Sequence, residues 1–143
     1  MPKLSSYASA TPAAGDIVPL IKGGVNKNAT AGSIAALSRV PNVQSVASAA
    51  TVTPTFDNDL VKITAQAEAL ALANPTGTAI PGLGMVIRIK DDGSPRAISY
   101  GSQYREIDIV LPTSTVAGKT TYIAMIYNSD ETKWDCISTA TES

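Results

Sequence analysis

From residue 50 onward the chain is a succession of short apolar runs, each cut off by Asp, Asn, Gly or Pro, and none carries a strong helical period. Candidate strands cover residues 50–56, 60–66, 69–73, 85–90, 96–100, 107–111, 120–127 and 134–139. Alternation sets the faces. Met85, Ile87 and Ile89 point one way while Arg88 and Lys90 point the other. Val61, Ile63 and Ala65 share a face, and Ile107, Ile109 and Leu111 alternate against Glu106 and Asp108. The 120–127 run differs, because Tyr122, Ala124 and Ile126 oppose Ile123, Met125 and Tyr127. A strand apolar on both faces is either central or pressed against a neighbouring subunit. Residues 67–73 have helical composition but lie between strand-like runs, so both readings stay open there. Roughly seven or eight short strands at this spacing predict a mainly β domain, an antiparallel β-sandwich or jelly roll.

The front of the chain is built differently. Asp16-Ile-Val-Pro-Leu-Ile-Lys22, Gly23-Gly24, Val25-Asn-Lys-Asn-Ala-Thr30 and Ala31-Gly-Ser-Ile-Ala-Ala-Leu37 read as strand, tight turn, strand and helical stub. Gly23-Gly24 supplies the positive φ values of a two-residue turn. Thr30 is placed to cap the stub. A hairpin with one or two turns of helix has too little apolar surface to be stable alone, so this unit is expected to finish folding against something else. Residues 1–15, rich in Ser, Ala, Thr, Pro and Gly, are expected to be extended or mobile until bound. Residues 38–49 read as a linker, since Pro41 blocks a regular helix and small polar residues dominate. Val40, Val43 and Val46 recur every third residue there, a pattern that identical chains lying side by side could bury. The expected organisation is an attachment segment at 1–37, a linker at 38–49 and a β-domain at 50–143.

Aromatic residues make up only 5% of the chain, with Phe56 and Trp134 the single Phe and Trp, so thin layers of β-branched and small residues are expected. Charged residues make up 16%, below the usual quarter, which points to surface covered by another chain. A net charge of −1 gives no electrostatic reason to expect nucleic acid or an anionic membrane as partner. No apolar run approaches the roughly 18 residues of a membrane span. Met1-Pro2-Lys3-Leu4 lacks an apolar signal core, so synthesis and assembly in a cytoplasm are expected. The Asn28-Ala-Thr30 sequon is then a coincidence.

Reaction chemistry is hard to find. The chain has no histidine, which removes Ser-His-Asp and Cys-His arrangements and His-based zinc sites. Cys136 is the only cysteine and reads as a small buried hydrophobe beside Trp134. Gly82-Leu-Gly84 begins like a dinucleotide fingerprint but feeds a strand rather than a helix. Asp57 with Asp59, and Asp91 with Asp92, are the remaining acid–base or calcium candidates. Both pairs lie at turns, where Asp caps local backbone N–H groups. The chain is therefore expected to be no enzyme, with no catalytic, cofactor-binding or metal-binding residue. Tyr122, Tyr127 and Trp134 read as core or intersubunit packing, whereas Tyr100 and Tyr104 bracket Gly101-Ser-Gln103 and are the candidate glycan contacts.

The run Asp16-Ile-Val-Pro-Leu-Ile-Lys-Gly-Gly-Val-Asn-Lys-Asn-Ala-Thr-Ala-Gly-Ser-Ile resembles the amino-terminal attachment segment of tailed-bacteriophage fibre and tail proteins. The later part is similar to small β-domains of phage fibre-like virion proteins. The matching phrases are Ala49-Ala-Thr-Val-Thr-Pro-Thr-Phe56, Leu70-Ala-Leu-Ala-Asn-Pro-Thr-Gly77, Val86-Ile-Arg-Ile-Lys-Asp91, Leu111-Pro-Thr113 with Gly118-Lys-Thr-Thr-Tyr122, and Ile126-Tyr-Asn with Lys133-Trp-Asp135. The resemblance implies a homotrimeric virion appendage, assembled in the host cytoplasm and anchored by its front segment to a capsid or tail protein. The absence of a shaft favours a short head fibre, a capsid decoration protein or a small tail-associated protein over a long tail fibre. The alternative is a host glycan or receptor-binding module of the tail. The candidate attachment residues are Asp16, Ile17, Val18, Pro19, Leu20, Gly23 and Gly24. Those for the subunit interface or core are Val43, Val46, Tyr122, Ile126 and Trp134.

Overall fold

The computed structural model describes residues 13–37 and 41–143, and the chain divides into two units, Met1–Val40 and Pro41–Ser143. The expectation for residues 1–12, and that for Val40, lie outside the described residues.

In the first unit, β1 (Ile17–Lys22) pairs antiparallel with β2 (Val25–Thr30), from Ile17 opposite Thr30 to Lys22 opposite Val25. Gly23 and Gly24 sit at φ 61° and 76°, the two left-handed positions of the hairpin turn whose twist matches the strands. Helix α1 (Ala31–Leu37) follows directly. Its orphan N–H groups are accounted for one by one. Ala31 and Gly32 donate to the carbonyls of Asp16 and Ala14 at 2.8 and 2.9 Å. Ser33 N–H donates to Thr30 Oγ1 at 3.1 Å, the cap expected from the sequence.

The second unit contains β3 (Val43–Val46), β4 (Thr51–Val52), β5 (Leu60–Gln66), β6 (Leu70–Leu72), β7 (Gly84–Asp91), β8 (Ile98–Tyr100), β9 (Tyr104–Glu106), β10 (Thr120–Asn128) and β11 (Lys133–Thr141). They form a six-stranded sheet, β3-β5-β7-β10-β11-β9, and a three-stranded sheet, β4-β6-β8. The domain is mainly β, but its sheets are mixed where the sequence predicts antiparallel pairing. From β3 to β8 the chain alternates between the two sheets at each step. Successive strands within one sheet therefore run parallel: β3 with β5, β5 with β7, β4 with β6 and β6 with β8. Alternation within a strand reports its faces and says nothing of its neighbour's direction. Only β7–β10 and β10–β11 are antiparallel here, and β11–β9 is parallel again.

One core lies between the sheets. Val52, Leu70, Leu72 and Ile98 from the smaller sheet meet Val61, Ile63, Ile87, Ile89, Ile123 and Met125 from the larger. Phe56, Tyr127 and Trp134 close one side, with ring centroids 5.2, 5.4 and 5.3 Å apart.

Three further expectations are corrected. Residues 41–49 are no linker, because β3 is an edge strand of the larger sheet and Val46 packs against the core. Ala65 does not share the inner face of Val61 and Ile63. A register shift between Ile63 and Gln66 turns Gln66 inward instead. Its amide Nε2 donates to the carbonyls of Ala49 and Glu68 at 2.9 and 2.8 Å, so the buried amide replaces missing ladder bonds. Finally, residues 107–111 form no strand. Asp108 has φ 73°, which breaks an extended path, and Glu106 Oε1 accepts the Leu111 N–H at 2.8 Å, folding the segment into a loop.

Candidate attachment unit and outer sheet face

Among the described residues the front unit is a ribbon of two strands, so each strand leaves one edge of backbone donors and acceptors without a sheet partner there. Its surface is also apolar in places: Ile17 is 65% exposed and Val25 56%. Pro19 is exposed and Val18 half-buried, on opposite faces of β1. Leu20 is paired with Lys27, and its side chain lies outside the described atoms. The Asp16 carboxylate accepts the Ala13 N–H at 2.7 Å, while its backbone N–H donates to the Ala13 carbonyl at 3.0 Å. Asp16 thus shapes the turn that delivers the chain into β1 and, through its carbonyl, seats the start of α1. Gly23 and Gly24 form the opposite tip. The sequence brings all seven candidate attachment residues onto this one hairpin.

The tyrosines proposed for glycan contact are placed otherwise. Tyr104 is buried, and its hydroxyl donates to the Ala73 carbonyl at 3.0 Å. Tyr100 is half-buried and donates to the Pro112 carbonyl at 2.8 Å. The two rings meet edge to face at 5.6 Å. Burial holds both phenols well above the ordinary tyrosine range. Packed on each other, with both hydroxyls spent on backbone, Tyr100 and Tyr104 are not the exposed loop-tip rings that glycan contact requires.

The carboxylates serve the fold. Asp91 is buried between the end of β7 and the loop before β10. Its Oδ1 accepts N–H groups of Gly93 and Gly118 at 2.7 and 2.9 Å, and its Oδ2 accepts the Thr115 hydroxyl. Thr115 Oγ1 in turn accepts the Arg96 N–H at 2.7 Å. Burial alone would raise the Asp91 carboxyl, but these donors and the nearby Arg96 charge outweigh it and hold the group below its ordinary value. Asp59 Oδ2 accepts the Asn42 N–H at 2.7 Å, and Asp57 stands exposed in the same turn. Asp135 on β11 pairs with Arg105 on β9, through Nε at 2.7 Å and Nη2 at 3.0 Å. The bonds from Arg105 lower the Asp135 carboxyl despite its burial. Cys136 is fully buried, and burial raises its thiol. Among the described residues no group of three or more His, Cys, Asp or Glu is placed to hold a metal ion, and no helix is long and apolar enough to cross a membrane.

Trp134 is fully buried, the core half of its expected role. Val43, Tyr122 and Ile126 are instead 48%, 44% and 38% exposed, all on the outer face of the six-stranded sheet. That face has an order invisible in the linear sequence. Val43 lies beside Leu60, Leu60 beside Val86 and Val86 beside Ala124, an apolar row across four strands. The next row carries Ser45, Lys62, Arg88 and Tyr122, again in register. A shallow depression of about 410 Å³ opens beside Tyr122, lined by Thr120, Ala140, Thr141 and Glu142. Neither protein-family models, curated proteins nor solved structures gave a match to this chain.

Proposed function

We propose that the chain is a structural component of a bacteriophage virion: a short fibre or decoration protein, homotrimeric, docked on a capsid or tail protein through residues 1–37. One observation carries the reading. The front unit is a two-stranded ribbon with a seven-residue helix, open backbone edges and exposed Ile17 and Val25. A ribbon of this kind gains stability by adding its edge to another sheet or burying its face in another chain. The β-domain, with its own core, is then the part displayed. The virion setting rests on the resemblance of the Asp16–Ile34 run and the later phrases to phage appendage proteins. The low charge and the apolar outer face support assembly with further copies. Deleting residues 1–37 tests the docking role: the truncated chain should fold but no longer appear in purified particles. Its normal incorporation would overturn the reading.

A further inference from the structure

We infer that a second copy of this chain covers the outer face of the six-stranded sheet. The apolar row Val43, Leu60, Val86 and Ala124 is extended by Ile126 on β10 and by Ile137, the extra residue where β11 slips register against β10. Ile137 is 51% exposed, so the row is a surface rather than a core.

Charge decides what covers it. Lys62 and Arg88 lie directly opposite each other on parallel strands, and neither forms an ion pair among the described residues. Like charges in that position repel, a local conflict that a neighbouring carboxylate removes. The chain carries the complement on the other side of the apolar row, in the loops at one end of the same strands. Asp57 lies in the turn before β5 and Asp130 in the turn between β10 and β11, both exposed and without an ion pair among the described residues. The strands therefore run between an acidic loop end and a basic row, with the apolar row between them. A second copy supplies apolar cover and carboxylates together. A small anion would leave the apolar row wet, and a nucleic acid would meet the acidic end. Head-to-tail contact, basic row of one copy against acidic loops of the next, is a heterologous interface, which closes into a ring only where its rotation does so. The number three for that ring rests on the function proposed above; the face itself does not.

The test is sedimentation of the full chain with three sets of variants. The native protein is expected to be oligomeric at about 10 μM. Val86→Glu, which places a charge in the apolar row, should remain folded by circular dichroism and sediment as a monomer. Lys62→Glu with Arg88→Glu should weaken assembly about tenfold or more, and adding Asp57→Lys with Asp130→Lys should restore it. If Val86→Glu does not fold, the surface charge variants still decide. A folded Val86→Glu that assembles like the native chain overturns this face while leaving a trimer intact. A native chain monomeric at about 100 μM overturns both. Binding of an acidic oligosaccharide to a monomeric native chain, lost with the Lys62 and Arg88 reversals, would make the face a ligand surface and overturn the inference.

Discussion

At the scale of single residues, the second unit is held by polar groups whose partners lie far away in sequence. Asp91 is the clearest. One buried carboxylate satisfies N–H groups of Gly93 and Gly118 and the Thr115 hydroxyl, joining the turn after β7 to the loop before β10. Asp91→Asn replaces acceptors with a donor facing donors and is expected to cost about 2–3 kcal/mol in urea unfolding at neutral pH. Because the folded carboxyl lies below its unfolded value of 3.8, the native contribution is full above that value. It is lost as pH falls through the lower, folded value. The variant should therefore show a flatter loss of stability on the acid side than the native chain, read from unfolding midpoints at several pH values. Thr132 offers a change of opposite sign. It holds φ 54° in the turn between β10 and β11, a conformation that β-branched residues adopt at a cost. Thr132→Gly should raise stability by about 0.5–1 kcal/mol, seen as a higher thermal midpoint. No increase would show the turn to be unstrained.

At the scale of elements, β9 is a short edge strand whose side-chain link to its neighbour β11 is one ion pair, while Tyr104 anchors it in the core. It is three residues long and lies parallel to β11 at the end of the sheet. Arg105 clamps Asp135 directly across that pairing, with Glu131 a further 3.4 Å neighbour. Arg105→Ala leaves Asp135 without its ion pair while mostly buried, with only the Asn128 amide still donating to it. Because the arginine is itself a third exposed, the expected loss is about 1–3 kcal/mol, less than for a fully buried pair. Amide exchange should quicken first along residues 104–106; uniform quickening would contradict a local clamp. Much of the element pattern could be read from the chain. Met85, Ile87 and Ile89 alternate and point inward as expected. Gly23-Gly24 and Thr30 performed their expected local roles, because turn and cap chemistry are decided within a few residues. What could not be read depended on distant pairing. Parallel direction arises from the alternation of the chain between two sheets, which leaves no mark on any one strand. The inward Gln66 and the outward Ile137 follow register shifts, which move side chains across faces without altering the alternation pattern. Tyr100 and Tyr104 looked like loop-tip residues beside Gly101, yet each hydroxyl found a carbonyl on a segment remote in sequence. The cation pair Lys62 and Arg88 became visible only once β5 and β7 were aligned.

At the scale of the whole molecule, the chain joins two units of unequal self-sufficiency. Pro41–Ser143 has a continuous core of buried aliphatic and aromatic residues, whereas the front hairpin has open edges and exposed apolar side chains. That contrast is the physical basis of the proposal that the front unit attaches and the β-domain is displayed. Residues 41–143 produced alone should keep a cooperative thermal transition and the near-ultraviolet signal of Trp134 packed against Phe56 and Tyr127. A non-cooperative transition would show that the front unit is needed for the core. Electron cryomicroscopy of intact particles tests the central claim most directly. The account predicts the Asp16–Leu37 hairpin in contact with a capsid or tail protein and the β-domain free of that contact. Particles lacking the chain, or holding it through residues 41–143 with the hairpin unengaged, would contradict it.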